Sequence, residues 1–184
     1  GGKGAEKGDG RTDVVPEAKG GASAEPKVSV KVAKLQLNAE GQHLPGKPKE
    51  KVGSVAVEVD VLGTEKVAGR TAELKVGRGG AVSVGFNRSY GAEAGSKLSK
   101  AFADSYKSEE EEDSEVQFVV YAYCEDGSEV ELGIARCSLE SIVNKNRDFD
   151  GVLEVRSDKK NVLVGELTCS VAAVAAFGEK EGVT

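Results

Sequence analysis

Apolar residues recur at every second position, segment after segment, and a period of two restricts the chain to half-buried β-strands. The clearest segment is 54–62, where Val55, Val57, Val59 and Val61 alternate with Ala56, Glu58 and Asp60. A helix would scatter these valines around its circumference, whereas a strand puts all four on one face. Val28, Val30 and Val32 alternate too, but the phase slips at Ala33-Lys34 before Leu35 and Leu37 resume. That slip predicts a bulge in a long first strand. Ala72/Leu74/Val76, Val82/Val84/Phe86, Val116/Phe118/Val120, Val130/Leu132/Ile134 and Leu153/Val155 follow, then 162–174 with a second slip near Gly165-Glu166. Eight strands are expected.

The turns agree with that count. Gly77-Arg78-Gly79-Gly80 and Glu125-Asp126-Gly127-Ser128 each join two runs at hairpin distance. Helical spacing is confined to Leu98, Ala101, Phe102 and Ser105/Tyr106, and to Leu139, Ile142 and Val143, where Ser138 is the candidate cap. Eight short alternating strands with one or two short helical insertions predict an all-β antiparallel sandwich, because two half-buried sheets must cover one another's apolar faces. A closed barrel is the geometric alternative.

At 184 residues the chain holds one domain's worth of sequence. Residues 1–25 carry seven glycines and only Val14 and Val15 as sizeable apolar residues, so a flexible lead-in is expected there. A polar tail is expected at 178–184, leaving a domain over 26–177. The absence of Met and the opening Gly1-Gly2 suggest a piece of a longer protein. Thirty-one acidic against 25 basic residues, a net charge of −6, exclude nucleic acid as a partner through counterion release. Cys124, Cys137 and Cys169 are an odd number without CxxC spacing, all in strand-like context, and point to reduced core thiols and a cytoplasmic setting.

Catalytic chemistry is hard to assemble. His43 is the only histidine and sits in a turn-rich stretch, Glu40-Gly41-Gln42-His43-Leu44-Pro45-Gly46, where a surface loop is expected. The cysteines lack an electropositive partner in local sequence, and one His with three scattered Cys does not spell a zinc site. Gly77-Arg78-Gly79-Gly80 lacks the Lys-Ser/Thr ending of a phosphate loop and reads as a hairpin turn. The sequon Asn87-Arg88-Ser89 is discounted with secretion itself. The chain is read as a non-enzyme with no catalytic residues, cofactor or metal. Two charge clusters remain: Lys47, Lys49 and Lys51 in the loop before the Val55 strand, and Glu109, Glu110, Glu111, Glu112 and Asp113 before the Val116 strand. Either serves as a solvated loop or as a contact, the lysines for an acidic protein or anionic lipid, the acids for a basic partner.

The strand order and two loops resemble a C2 domain, a Greek-key sandwich of eight strands. Val120-Tyr121-Ala122-Tyr123-Cys124-Glu125-Asp126-Gly127-Ser128-Glu129-Val130-Glu131-Leu132-Gly133 follows the family's strand, acidic loop and hydrophobic-Gly restart. Leu44-Pro45-Gly46 running into Val55-Ala56-Val57-Glu58-Val59 resembles its first calcium loop. In calcium-binding members aspartates of the two loops converge on the metal. Here the matching positions are Ala122 and Cys124, and Glu50 is the sole acid among Lys47, Lys49 and Lys51. Calcium wants 6–8 oxygen ligands, so the resemblance implies lost ligands and calcium independence. Glu125, Asp126 and Glu129 offer at most one weak ion site, and a hairpin loop is the simpler account.

Within C2 domains the chain is most similar to the carboxy-terminal C2 domain of the RPGR-interacting protein family of the ciliary transition zone. The likeness lies in the long first strand, the acidic lead into Val116-Gln117-Phe118-Val119-Val120, Glu131-Leu132-Gly133-Ile134-Ala135, Leu139-Glu140-Ser141-Ile142-Val143, Leu153-Glu154-Val155 and Val164-Gly165-Glu166-Leu167. It implies a protein-interaction module in a ciliary or flagellar transition-zone, basal-body or cytoskeletal scaffold, with an RPGR-like propeller or nephrocystin-like partner. The alternative is a peripheral domain binding anionic phospholipid through the Lys47–Lys51 segment with Lys66, Arg70, Lys75 and Arg78.

Overall fold

The computed structural model describes residues 26–64, 69–105, 107 and 114–178. The expected lead-in 1–25, residues 179–184 of the expected tail, Lys66, Tyr106 and the run Glu109, Glu110, Glu111, Glu112 and Asp113 lie outside the described residues.

Among the described residues ten strands and three α-helices follow along the chain: β1 (Lys27–Leu37), β2 (His43–Leu44), β3 (Lys47–Lys51), β4 (Ser54–Val61), β5 (Leu74–Lys75), β6 (Ala81–Gly91), α1 (Lys97–Ser105), β7 (Glu115–Tyr123), β8 (Glu129–Ser138), α2 (Leu139–Lys145), β9 (Phe149–Arg156), β10 (Leu163–Ala172) and α3 (Val174–Phe177). The eight strands expected from the alternation are all present, joined in the order β5-β4-β7-β8-β9-β10-β1-β6, every pairing antiparallel. Between β8 and β9 the ladder narrows to one pair, Ile134 with Arg156, so the ribbon creases there into two four-stranded layers. The result is the all-β eight-stranded sandwich.

One apolar core fills the space between the layers. Val55, Val57, Val59 and Val61 of β4 meet Val28, Val30, Val32, Leu35 and Leu37 of β1, all at 1% exposure or less, which is why the period of two was so regular. The bulge expected at Ala33-Lys34 is present: β1 shifts register between Val32 and Lys34 against both neighbours. The second slip appears as a shift between Leu163 and Gly165. β10 stops at Ala172 instead of continuing to 174, because Asp148 Oδ1 accepts from the backbone N–H of Ala173 and Val174 at 2.8 and 2.9 Å and starts α3. Ser138 caps α2 as expected, its Oγ accepting from Ser141 N at 3.0 Å. The rings of Phe102 and Phe177 stack with centroids 4.0 Å apart, tying α1 to α3.

Two expectations fail. The turn Gly77-Arg78-Gly79-Gly80 is no hairpin: β5 pairs with β4 and β6 with β1, so this turn carries the chain from one layer to the other. Turn residues report a reversal, and the strand that receives the chain afterwards is chosen by the whole sheet. Residues 43–51, expected as loop, instead form the two-stranded ribbon β2–β3, with His43 opposite Lys51 and Leu44 opposite Lys47.

Candidate interaction site at the loop end

The turn after β1, the β2–β3 ribbon, the β5–β6 crossover, the β7–β8 hairpin and the β9–β10 turn share one end of the sandwich. Leu37 faces Gly165, Gln36 faces Ala81, Val55 faces Ala122 and Ser54 faces Lys75, which aligns these strand ends. Gln36 Nε2 reaches the Gly79 carbonyl at 2.7 Å across the crossover.

The ribbon is held by its base. Asn38 Nδ2 donates to Leu163 O at 2.8 Å, Asn38 Oδ1 accepts from Gly41 N at 2.8 Å, and Val52 N donates to Gln42 O at 2.8 Å. Gly41 lies so close to the chain beside it that a Cβ there would stand 2.1 Å from the Val164 carbonyl oxygen. Leu44 and Val52 anchor the two strands in the core, and Gly46 at φ 76° closes the Pro45-Gly46 turn. Between these anchors all five β3 residues are exposed. Lys47, Lys49 and Lys51 alternate with Pro48 and Glu50 in extended backbone and share a side. None of the three forms an ion pair among the described residues. His43, the expected loop histidine, is a half-buried strand residue with Nδ1 at 2.9 Å from Ala39 O.

The β7–β8 hairpin stands beside the ribbon. Asp126 Oδ1 accepts from Ser128 Oγ at 2.6 Å and Ser128 N at 2.9 Å, and these bonds, with the nearby Lys47 charge, hold its carboxyl below the usual carboxylate range. Glu129 is bound to Arg70 Nη2 at 2.7 Å. The three acids Glu125, Asp126 and Glu129 are thus drawn to separate partners or to solvent, and among the described residues no three His, Cys, Asp or Glu side chains gather where one metal ion could sit. Ala122 is fully buried on the core side of β7, and Cys124 is half-buried just past its end.

Arg70, grouped above with the basic residues for lipid, is occupied elsewhere. It pairs with Glu129 and, at 3.4 Å, with Glu58, and its guanidinium lies 4.9 Å from the Tyr121 ring centroid. Its hydrogen bonds to Glu129 and then to the Tyr123 hydroxyl, at 3.4 Å, raise its pKa further, so it is a fixed cation clamping the outer face of β4 and β7. Residue spacing gave no signal of this cluster, since Glu58, Arg70, Tyr121 and Glu129 come from four separate segments. Lys75 and Arg78 do lie at the loop end.

Of the thiols, Cys137 and Cys169 are buried and Cys124 is half-exposed, so the expectation of core thiols holds for two of three. Burial pushes both buried thiols up to about 12, with Glu115 adding to the effect on Cys137 and Cys137 to that on Cys169. In the unfolded chain each ionises at its ordinary value, so the folded state holds these protons longer. Stability should therefore be unaffected by them below about pH 9 and fall as pH rises from about 9 to 12. Urea unfolding across that window should show a shallower fall in a Cys137→Ala, Cys169→Ala variant; an unchanged slope would remove the thiols as its cause.

No protein-family model and no curated protein matches the chain. Solved structures do. A chain of CC2D1B superposes with a TM-score of 0.58 at 11% identity over 83% of this chain, which spans 56% of that one. A C2 domain-containing protein superposes with a TM-score of 0.52 at 10% identity, over 87% of this chain and 93% of its own. With the strand order and the single core, these likenesses establish the fold of this chain as C2-like.

Proposed function

We propose that the domain is a calcium-independent, non-catalytic C2-type module that docks a protein partner through its loop end. The observation that carries this is the ribbon: three exposed lysines, without an ion pair among the described residues, share a strand whose Lys47 acts on Asp126 of the β7–β8 hairpin, the place where the sequence resemblance puts the metal of calcium-binding members. Ammonium groups there oppose a divalent cation and suit an acidic protein surface. The ciliary or flagellar scaffold setting, cytoplasmic and at the transition zone or basal body, rests on the sequence resemblance alone. So does the choice of an RPGR-like or nephrocystin-like partner.

The lipid reading is weaker on physical grounds. The ribbon tip is Pro45-Gly46, and the large apolar side chains exposed among the described residues, Val152 and Val162, are not on it. Three lysines at roughly 1 kcal/mol each give only weak attachment to an anionic surface unless a second site adds avidity. Lys47→Glu, Lys49→Glu, Lys51→Glu should abolish salt-sensitive capture of the partner from ciliary extract with the fold intact, and calcium should leave the 124–129 amide resonances in place. Capture unaffected by the triple change, calcium shifts confined to the hairpin, or sedimentation with phosphoinositide vesicles would each overturn this reading.

A further inference from the structure

We infer that the open edge of β6 takes an extended acidic peptide strand of another protein, paired along residues 86–91. This surface is separate from the loop-end lysines and rests only on the reading of the domain as a protein-interaction module.

Among the described residues β6 closes one end of the sheet order and pairs with β1 alone. Such an edge presents a row of unpaired N–H and C=O groups, and natural edges are commonly blunted by lysine, proline or a bulge. β6 carries neither lysine nor proline over its 11 residues, and its bulge is at Gly85, φ 65°, where the register against β1 shifts. Beyond the bulge, residues 86–91 run in unbroken register with 27–32, leaving a regular six-residue template.

The side chains around that template select charge. Asn87, Ser89 and Gly91 face outward, exposed, small and uncharged. One strand further in, Lys31 lies opposite Asn87 and Lys34 opposite Ser83. An added strand would sit about 10 Å from β1, two strand spacings, and a lysine and a glutamate leaning toward one another over the low Ser/Asn row close that gap. On the inner side Arg88 sits over the Phe86 ring at 5.6 Å, and a cavity of about 260 Å³ lined by Thr64, Ser89, Tyr90, Gly91, Lys97 and Leu98 flanks the end of the template. Lys31, Lys34, Arg88 and Lys97 have no ion-pair partner among the described residues; the carboxylates around them are Glu93, folded over Gly91, Glu166, diagonal to Lys34 on β10, and Asp150, two strands from Lys31. Four cations without an ion pair among the described residues, Lys31 and Arg88 at the template and Lys34 and Lys97 flanking it, are complementary to an acidic strand in a chain whose net charge is −6. They also oppose a second copy of this chain, because symmetric pairing of two β6 edges would bring the same cations together.

The test uses the full 184-residue chain and a capped eight-residue peptide alternating valine and glutamate. Saturable amide shifts confined to 81–91 and β1 are expected, weakened by salt and by roughly tenfold in Lys31→Glu, Lys34→Glu, two exposed changes that leave the core untouched. A peptide N-methylated at alternate residues, unable to complete the ladder, should not bind, nor should the valine–lysine peptide. Equal binding of either control, shifts centred on 47–51, no binding, or a dimer in sedimentation would overturn the proposal. Peptide binding retained in the Lys47→Glu, Lys49→Glu, Lys51→Glu variant separates this edge from the loop end, so either reading can fail alone.

Discussion

Replacing Phe118 with alanine should lower the free energy of unfolding by about 3–5 kcal/mol, the range for emptying a buried aromatic site. Phe118 is the largest fully buried side chain among the described residues, on an inner strand of its layer, opposite Val59 on one side and Ala135 on the other. Its neighbours are mostly valines and alanines, β-branched or short, and held by ladders on both flanks, so they have little freedom to collapse into the void. Urea denaturation with an unchanged slope checks the figure. Val152→Ala, at a side chain 54% exposed, is the control and should stay within about 0.5 kcal/mol. A Phe118→Ala loss as small as the control's would mean that the two layers do not share one core.

Gly133→Ala should cost about 1–3 kcal/mol although it adds only one methyl group, the penalty of overpacking. Gly133 faces Val120 where β8 meets β9, and a Cβ there would lie 2.8 Å from the Arg156 carbonyl oxygen and 3.0 Å from Val155 Cγ1. The atoms it would meet are mainly backbone, and Arg156 supplies the one ladder pair that joins the layers among the described residues, so relief requires moving β9 itself. Amide exchange should quicken first at Ile134 and Arg156. Wild-type stability with unchanged exchange at those two amides would show that the crease tolerates a side chain.

The parts of this fold that were legible in the sequence share one cause. A strand with one face in the core writes its burial into alternate residues, so β1 and β4 to β10 were visible, and with them the bulge at Ala33-Lys34, where the alternation breaks because the backbone does. Ser138 was legible because a cap is a local hydrogen bond. The ribbon β2–β3 was not, since its exposed strand buries no alternate row: it is held by Asn38 and Gly41 against residues 163 and 164, more than a hundred positions along the chain. The lysines were named from sequence, but their lack of an ion pair among the described residues and the place of Lys47 near Asp126 are facts of three dimensions.

The two kinds of determination divide along the range of the forces involved. Periodicity, turn chemistry and composition act within a few residues, and by themselves they determined that this chain is all-β, antiparallel, eight-stranded and built on one core. Which strands become neighbours is decided by burial summed over the whole chain. For that reason only the tertiary structure decided that Gly77-Arg78-Gly79-Gly80 crosses between layers, that Arg70 clamps Tyr121 and Glu129, and that β6 is left as an edge.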